Sequence, residues 1–130
     1  SEPSAAIFYN DQQPDKIFYQ GLSHRKLGNE QLAAEIFNKL IEYGNQHVND
    51  EVKLDYFAVS LPHMLIFDDD LSLRNRIHAM FITGLGYLGL DEKYQAARIF
   101  KEVLALDVAH LGAKIHLDMV ESTSLYKGKL

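Results

Sequence analysis

The stretch IFYQGLSHRKLGNEQLAAEIF, residues 17–37, decides the fold of this chain because a version of it occurs twice. A shift of 63 residues along the 130-residue sequence brings it, without a gap, onto MFITGLGYLGLDEKYQAARIF, residues 80–100. The two copies share small, aliphatic and aromatic residues at the same spacing: Phe18/Phe81, Gly21/Gly84, Leu22/Leu85, Ala33/Ala96 and Phe37/Phe100. Self-similarity over such a length predicts two copies of one supersecondary unit.

Each copy has the pattern of two helices joined by a short turn. In the first copy the helical pattern begins at Pro14 and ends at Gly28, and Asn29 can cap a second helix that Gly44 breaks. Small residues allow helices to approach closely, and large aromatic residues fill the space between packed units. The positions predicted to serve these structural roles are Gly21, Ala33, Phe37, Gly84, Ala96 and Phe100.

The rest of the sequence is also helical in pattern, and no segment alternates like a strand. The further predicted segments are one that starts at Asn49 or Asp50 and is interrupted by Pro62, Leu71–Leu88, a helix capped by Asp91 that ends at Leu106, and a helix capped by Asp107 that ends near Ser122. The chain is therefore predicted to be all-α, with about six antiparallel helices.

At the repeated residues the chain resembles the tetratricopeptide repeat family. The second copy carries the small residue, Tyr87, the spaced alanine and the phenylalanine of that pattern, whereas His24 replaces the tyrosine in the first copy. The resemblance implies an α-solenoid whose last helix acts as a cap. The family period is about 34 residues, so an offset of 63 implies an irregular, shortened middle repeat. The expected division is a linker or preceding tail at 1–13, a helical domain at 14–122 and a frayed tail at 123–130.

The resemblance also implies a concave groove, because first helices of this family line a surface that binds extended peptides. The matching positions in this chain are Phe18, Leu22, Arg25, Phe81, Leu85 and Leu88. The alternative is that these apolar side chains complete the core or pack against a neighbouring domain.

Asp68, Asp69 and Asp70 form the strongest local candidate for chemistry. Consecutive carboxylates cannot all point at one ion without a wrapped loop, and the D-x-D-x-D spacing of a calcium loop is absent. We therefore expect the triplet to cap a helix that begins at Leu71. The six histidines have no metal-binding spacing, and His110 and His116 are expected on different helix faces. No catalytic residue, metal or cofactor is predicted.

Composition excludes several classes of function. The chain has no cysteine, a net charge of −5 with dispersed lysines and arginines, and no apolar run near the ~20 residues that span a bilayer. Nucleic acid and membrane are therefore not expected partners. The compartment stays open, with the cytoplasm as the expectation.

The expected function is a non-enzymatic interaction or scaffold domain that contacts a protein, a peptide or a neighbouring domain. The segment NDEVKLDYFAVSLPHMLIFDDDL, with RNRIH and GLGYLGL after it, also resembles the C-terminal part of large bacterial proteins that begin with a β-rich domain related to carbohydrate processing. That second resemblance, and a start without methionine, imply a piece of a longer bacterial protein. Two alternatives remain: an accessory helical part of a carbohydrate-active enzyme, and a module for homo-oligomerisation.

Overall fold

The structure, a computed structural model, describes residues 13–51 and 62–128, with only the backbone described at 62–69 and 123–128. Five helices lie in these residues: α1 (Pro14–Lys26), α2 (Glu30–His47), α3 (Pro62–Gly89), α4 (Lys93–Leu106) and α5 (Leu111–Gly128). No strand occurs in the described part, so the all-α prediction is confirmed there. The predicted helical segment between Asn49 and Pro62 lies almost wholly outside the described residues, as does the predicted linker at 1–13.

The turns of the two repeated units are alike down to their backbone hydrogen bonds. In the α1–α2 turn, Asn29 N–H donates to the carbonyl of His24 at 2.8 Å, and in the α3–α4 turn Glu92 N–H donates to that of Tyr87 at 2.9 Å. Both turns pass through the left-handed region, at Gly28 with φ 85° and at Asp91 with φ 63°. The repeat therefore extends to turn geometry, although a glycine is present in only one copy.

The same close contact joins the two helices of each unit. A Cβ atom added to Gly21 would lie 2.5 Å from Cε1 of Phe37, and one added to Gly84 would lie 2.6 Å from Cε1 of Phe100. Both phenylalanine side chains are fully buried. Each glycine thus leaves the space that the ring of the partner helix occupies.

The structure of the middle of the chain, helix α3, differs from the helix boundaries predicted there. It is one continuous helix of 28 residues that begins at Pro62. Proline suits a first helical turn because backbone N–H groups there have no acceptor within the helix, so the N–H that proline lacks costs no hydrogen bond. The predicted helix start at Leu71 is therefore wrong, whereas an interruption or bend of the preceding segment at Pro62 stays a prediction, because that segment lies outside the described residues. The aspartate triplet lies inside the helix and cannot cap it; Asp70 instead forms an exposed ion pair with Arg74 at 3.2 Å.

Several other predicted helix ends differ from the structure. Gly44 does not break α2; it is buried inside the helix, where a Cβ atom would overlap Thr83 Oγ1 and lie 2.6 Å from the Ala79 carbonyl oxygen. Asn29 stands at the N-cap of α2 but makes no side-chain cap bond, and Glu92, not Asp91, is the N-cap of α4.

The predicted cap at Asp107 is also wrong, because α5 begins only at Leu111. His110 precedes the helix, and its Nδ1 accepts a hydrogen bond from Ala113 N–H at 3.0 Å, while Asp107 Oδ1 accepts from Ala109 N–H in the turn. Helix α5 continues to Gly128, beyond the predicted end at Ser122, and fraying of residues 123–130 stays a prediction.

Helix α3 is central to the packing, since it lies against α1, α2 and α4, and α4 in turn packs against α5. Its face toward α2 is made of small or apolar residues that are all buried: Ala79, Ile82, Thr83 and Gly86. A Cβ atom on Gly86 would lie 2.7 Å from the Phe37 carbonyl oxygen, so the backbones of α2 and α3 nearly touch. The two repeated units therefore pack directly against each other.

Candidate interaction surfaces

The residues predicted to line a concave groove belong mainly to the core. Phe18, Phe81 and Leu85 are 1%, 6% and 0% exposed, and Leu22 and Leu88 are half-buried against the same cluster. The structure does bring all five apolar side chains together. They pack in the interior rather than along an open groove wall, as the alternative interpretation of these positions anticipated.

Arg25, the sixth predicted groove residue, joins the two units. Its guanidinium carbon lies 5.1 Å from the ring centre of Phe37, and Nη2 donates a hydrogen bond to the Gly89 carbonyl at the end of α3. A cation is favourable both over an aromatic face and at a helix C-terminus. Arg25 is therefore tied to its own chain instead of being free at the rim of a groove.

Helix α5 covers the row of first-helix residues through His116. The imidazole is 2% exposed, and its ring centre lies 5.5 Å from that of Phe18 and 5.8 Å from that of Phe81. Nδ1 lies 2.7 Å from the Gly112 carbonyl oxygen, and Nε2 lies 3.4 Å from the Tyr19 hydroxyl. The chain thus fills with its own side chain the space where a bound peptide was expected.

This role of α5 follows from a second repeat register in the sequence, with a step of 34 residues. A step of 34 residues from α3 moves Ala79, Ile82, Thr83 and Gly86 onto Ala113, His116, Leu117 and Val120. Three of these α5 residues are buried and Leu117 is half-buried. Helix α5 therefore corresponds to the first helix of a third repeat, and it packs on the second unit as α3 packs on the first.

His110 also contacts this cluster. Its ring centre is 4.8 Å from that of Phe81, so His110 and His116 meet at one aromatic ring instead of on separate faces. His110 precedes α5, which is why helical spacing does not apply to the pair.

His110 also affects a histidine on α3. Partial burial of His78 lowers the pKa of its imidazole, and the nearby charge of His110 lowers it further.

The face of α1 that corresponds to the buried face of α3 is open among the residues that the structure describes. The offset of 63 residues matches Ala79, Ile82, Thr83 and Gly86 with Lys16, Tyr19, Gln20 and Ser23, all of which are exposed. These residues, with Gln13, Asp15 and His24, line a shallow cleft of about 370 Å³. We call this cleft the α1 face.

The α1 face offers both donors and acceptors of hydrogen bonds. It combines a carboxylate, an ammonium group, amides and hydroxyls, and Tyr19 adds an aromatic ring that is 44% exposed. Nδ1 of His24 is buried and has no hydrogen-bond partner among the described residues. The mixed chemistry suits a polypeptide better than a purely apolar or a strongly charged ligand.

No metal or membrane feature is found where the structure describes the chain. Among the side chains that the structure describes, at residues 13–51 and 70–122, no three histidine, aspartate or glutamate residues come together as a metal-binding group. None of the helices described there is both long and apolar enough to cross a membrane.

Comparison with known families gives one match, and it falls on the first unit. Residues 17–43 match the family model described as tetratricopeptide repeat. The chain contains a tetratricopeptide-like repeat. The match covers the body of α1 and α2, and the shared turns and glycine–phenylalanine contacts extend the likeness to the second unit. No solved structure matches the chain.

Tetratricopeptide repeats generally mediate contacts between proteins and are typically non-enzymatic. The match at residues 17–43 therefore suggests a role in contacts between proteins.

Proposed function

We propose that this chain is a non-enzymatic scaffold domain that binds a polypeptide segment on the α1 face. One observation supports this most strongly. The equivalent face of α3 is covered by a helix, whereas the α1 face is exposed and forms a cleft. The segment comes either from another protein or from a neighbouring domain of a longer chain.

The burial of the predicted groove supports this choice of surface. A peptide would have to displace His116 and Tyr19 to reach Phe18 and Phe81. Moving a buried side chain out of an aromatic cluster is costly. Binding at the α1 face requires no such rearrangement.

The test is a capture experiment on extract from the source organism with the immobilised 130-residue chain. Ser23→Arg places a long side chain in the cleft, and Ala105→Arg places the same side chain on the exposed surface of α4 as a matched control. We expect the immobilised wild type and Ala105→Arg to retain a protein from the extract that Ser23→Arg does not retain. Equal retention by all three chains, with circular dichroism unchanged, would contradict it.

A further inference from the structure

A second face that no described residue covers lies on α5. Helix α5 turns Ala113, His116 and Val120 inward, and its outer side carries Leu111, Lys114, Ile115 and Asp118. Leu111 is 67% exposed and Ile115 is 46% exposed. Two exposed aliphatic residues one turn apart are unfavourable in water and mark this side, which we call the α5 face, as a contact surface.

A second helix of the repeat type does not fit the α5 face. In both repeated units the second helix inserts a phenylalanine against a glycine, with less than 3 Å from its ring to an added Cβ atom. The 34-residue step places Asp118 at the position of Gly84. Because a carboxylate side chain fills the space that the phenylalanine needs, an occupant of the α5 face must pack differently.

The charges on the α5 face complement one another across a two-fold axis. Lys114 and Asp118 are one turn apart on either side of Ile115, and neither side chain forms an ion pair within the described residues. If two copies of α5 cross antiparallel with the axis near Ile115, Lys114 of each copy faces Asp118 of the other. The same axis brings the two Ile115 side chains together. An interface of this kind is isologous, since one patch meets its own copy.

We propose that the α5 face is a homodimer interface, in which the Ile115 side chains form an apolar centre flanked by two Lys114–Asp118 pairs. Val108, in the turn before α5, is a further exposed aliphatic residue, with 75% of its surface accessible. This interface lies on a different helix from the α1 face, so it goes beyond the proposed function and does not depend on it.

The first test is sedimentation equilibrium of the 130-residue chain over a wide range of protein concentration. The wild type should reach the mass of a dimer, and Ile115→Glu should raise the dissociation constant at least about tenfold. Tyr94→Glu is the matched control, because Tyr94 is an exposed aromatic residue that belongs to α4 and not to the α5 face. A wild type that stays monomeric, or a dimer that Ile115→Glu leaves intact, would overturn the proposal.

Charge reversal gives a second test that stays decisive if Ile115→Glu fails to fold. In Lys114→Asp two aspartates face each other across the interface, and in Asp118→Lys two lysines do so, so each variant alone should be monomeric. A mixture of the two variants restores both opposite-charge pairs and should dimerise. If the mixture dimerises no better than either variant alone, the antiparallel arrangement is wrong.

Discussion

The two repeated units keep the same interior and differ at their outer side. Inside each unit a phenylalanine of the second helix packs against a glycine of the first, and the turns share their hydrogen bonds. On the outer side, α3 presents buried small and apolar residues to α2, whereas α1 presents polar residues to solvent. The repeated residues thus determine the packing inside a unit, whereas the position of the unit in the stack determines whether its outer residues are apolar and buried or polar and exposed.

The largest expected effect concerns the predicted groove. Leu85→Glu would be tolerated if this residue lined an open groove, but Leu85 is fully buried on α3. Burying an unpaired carboxylate costs several kcal/mol, which is comparable to the whole stability of a small domain. We expect the variant to lose its cooperative unfolding transition in circular dichroism. A folded variant with wild-type stability would place Leu85 at the surface.

The next effect tests whether the two interiors are equivalent. Phe37→Ala and Phe100→Ala should each lower the free energy of unfolding by about 3–5 kcal/mol, because both rings are fully buried. Urea unfolding of the two variants measures this directly. A loss below about 1 kcal/mol in only one of them would show that the units are not packed alike.

The smallest expected effects are opposite changes in stability for substitutions in the two turns. Gly28→Ala should destabilise by about 1 kcal/mol through backbone strain alone, since no atom lies within 4 Å of the added Cβ and φ is 85°. Asp91→Gly should change stability in the opposite direction by up to about 1 kcal/mol, since Asp91 has φ 63°. Thermal melts of both variants check the two signs. The same sign for both would mean that the turns do not share their geometry.

The sequence alone predicts which residues of the two units are equivalent. The 63-residue offset identifies the repeated glycines and phenylalanines, and it matches Gly28 with Asp91 in the turns. The phenylalanines were expected to fill the space between units, and the structure adds that each packs against the glycine of its own unit. These features depend on contacts within a unit, which adjacent sequence determines.

Features that depend on more distant packing were not predictable from local signals. Asp68–Asp70 resembles a cap, but the helix starts at Pro62 and runs through it. Gly44 resembles a helix stop, although it serves the close approach of α2 to Thr83. Phe18 and Phe81 of the predicted groove lie under α5, which comes much later in the sequence and places His116 against both rings. Each difference arises where tertiary contacts override a local preference.

The most direct measurement of the central claim compares one repeat position in its two settings. Lys16 and Ala79 occupy equivalent positions, exposed on α1 and fully buried on α3 respectively. Urea unfolding of Lys16→Ala should give a free energy within about 0.5 kcal/mol of the wild type, whereas Ala79→Lys should lose at least about 3 kcal/mol. Similar losses in the two variants, or a stable Ala79→Lys, would contradict the account of an open α1 face and a covered α3 face.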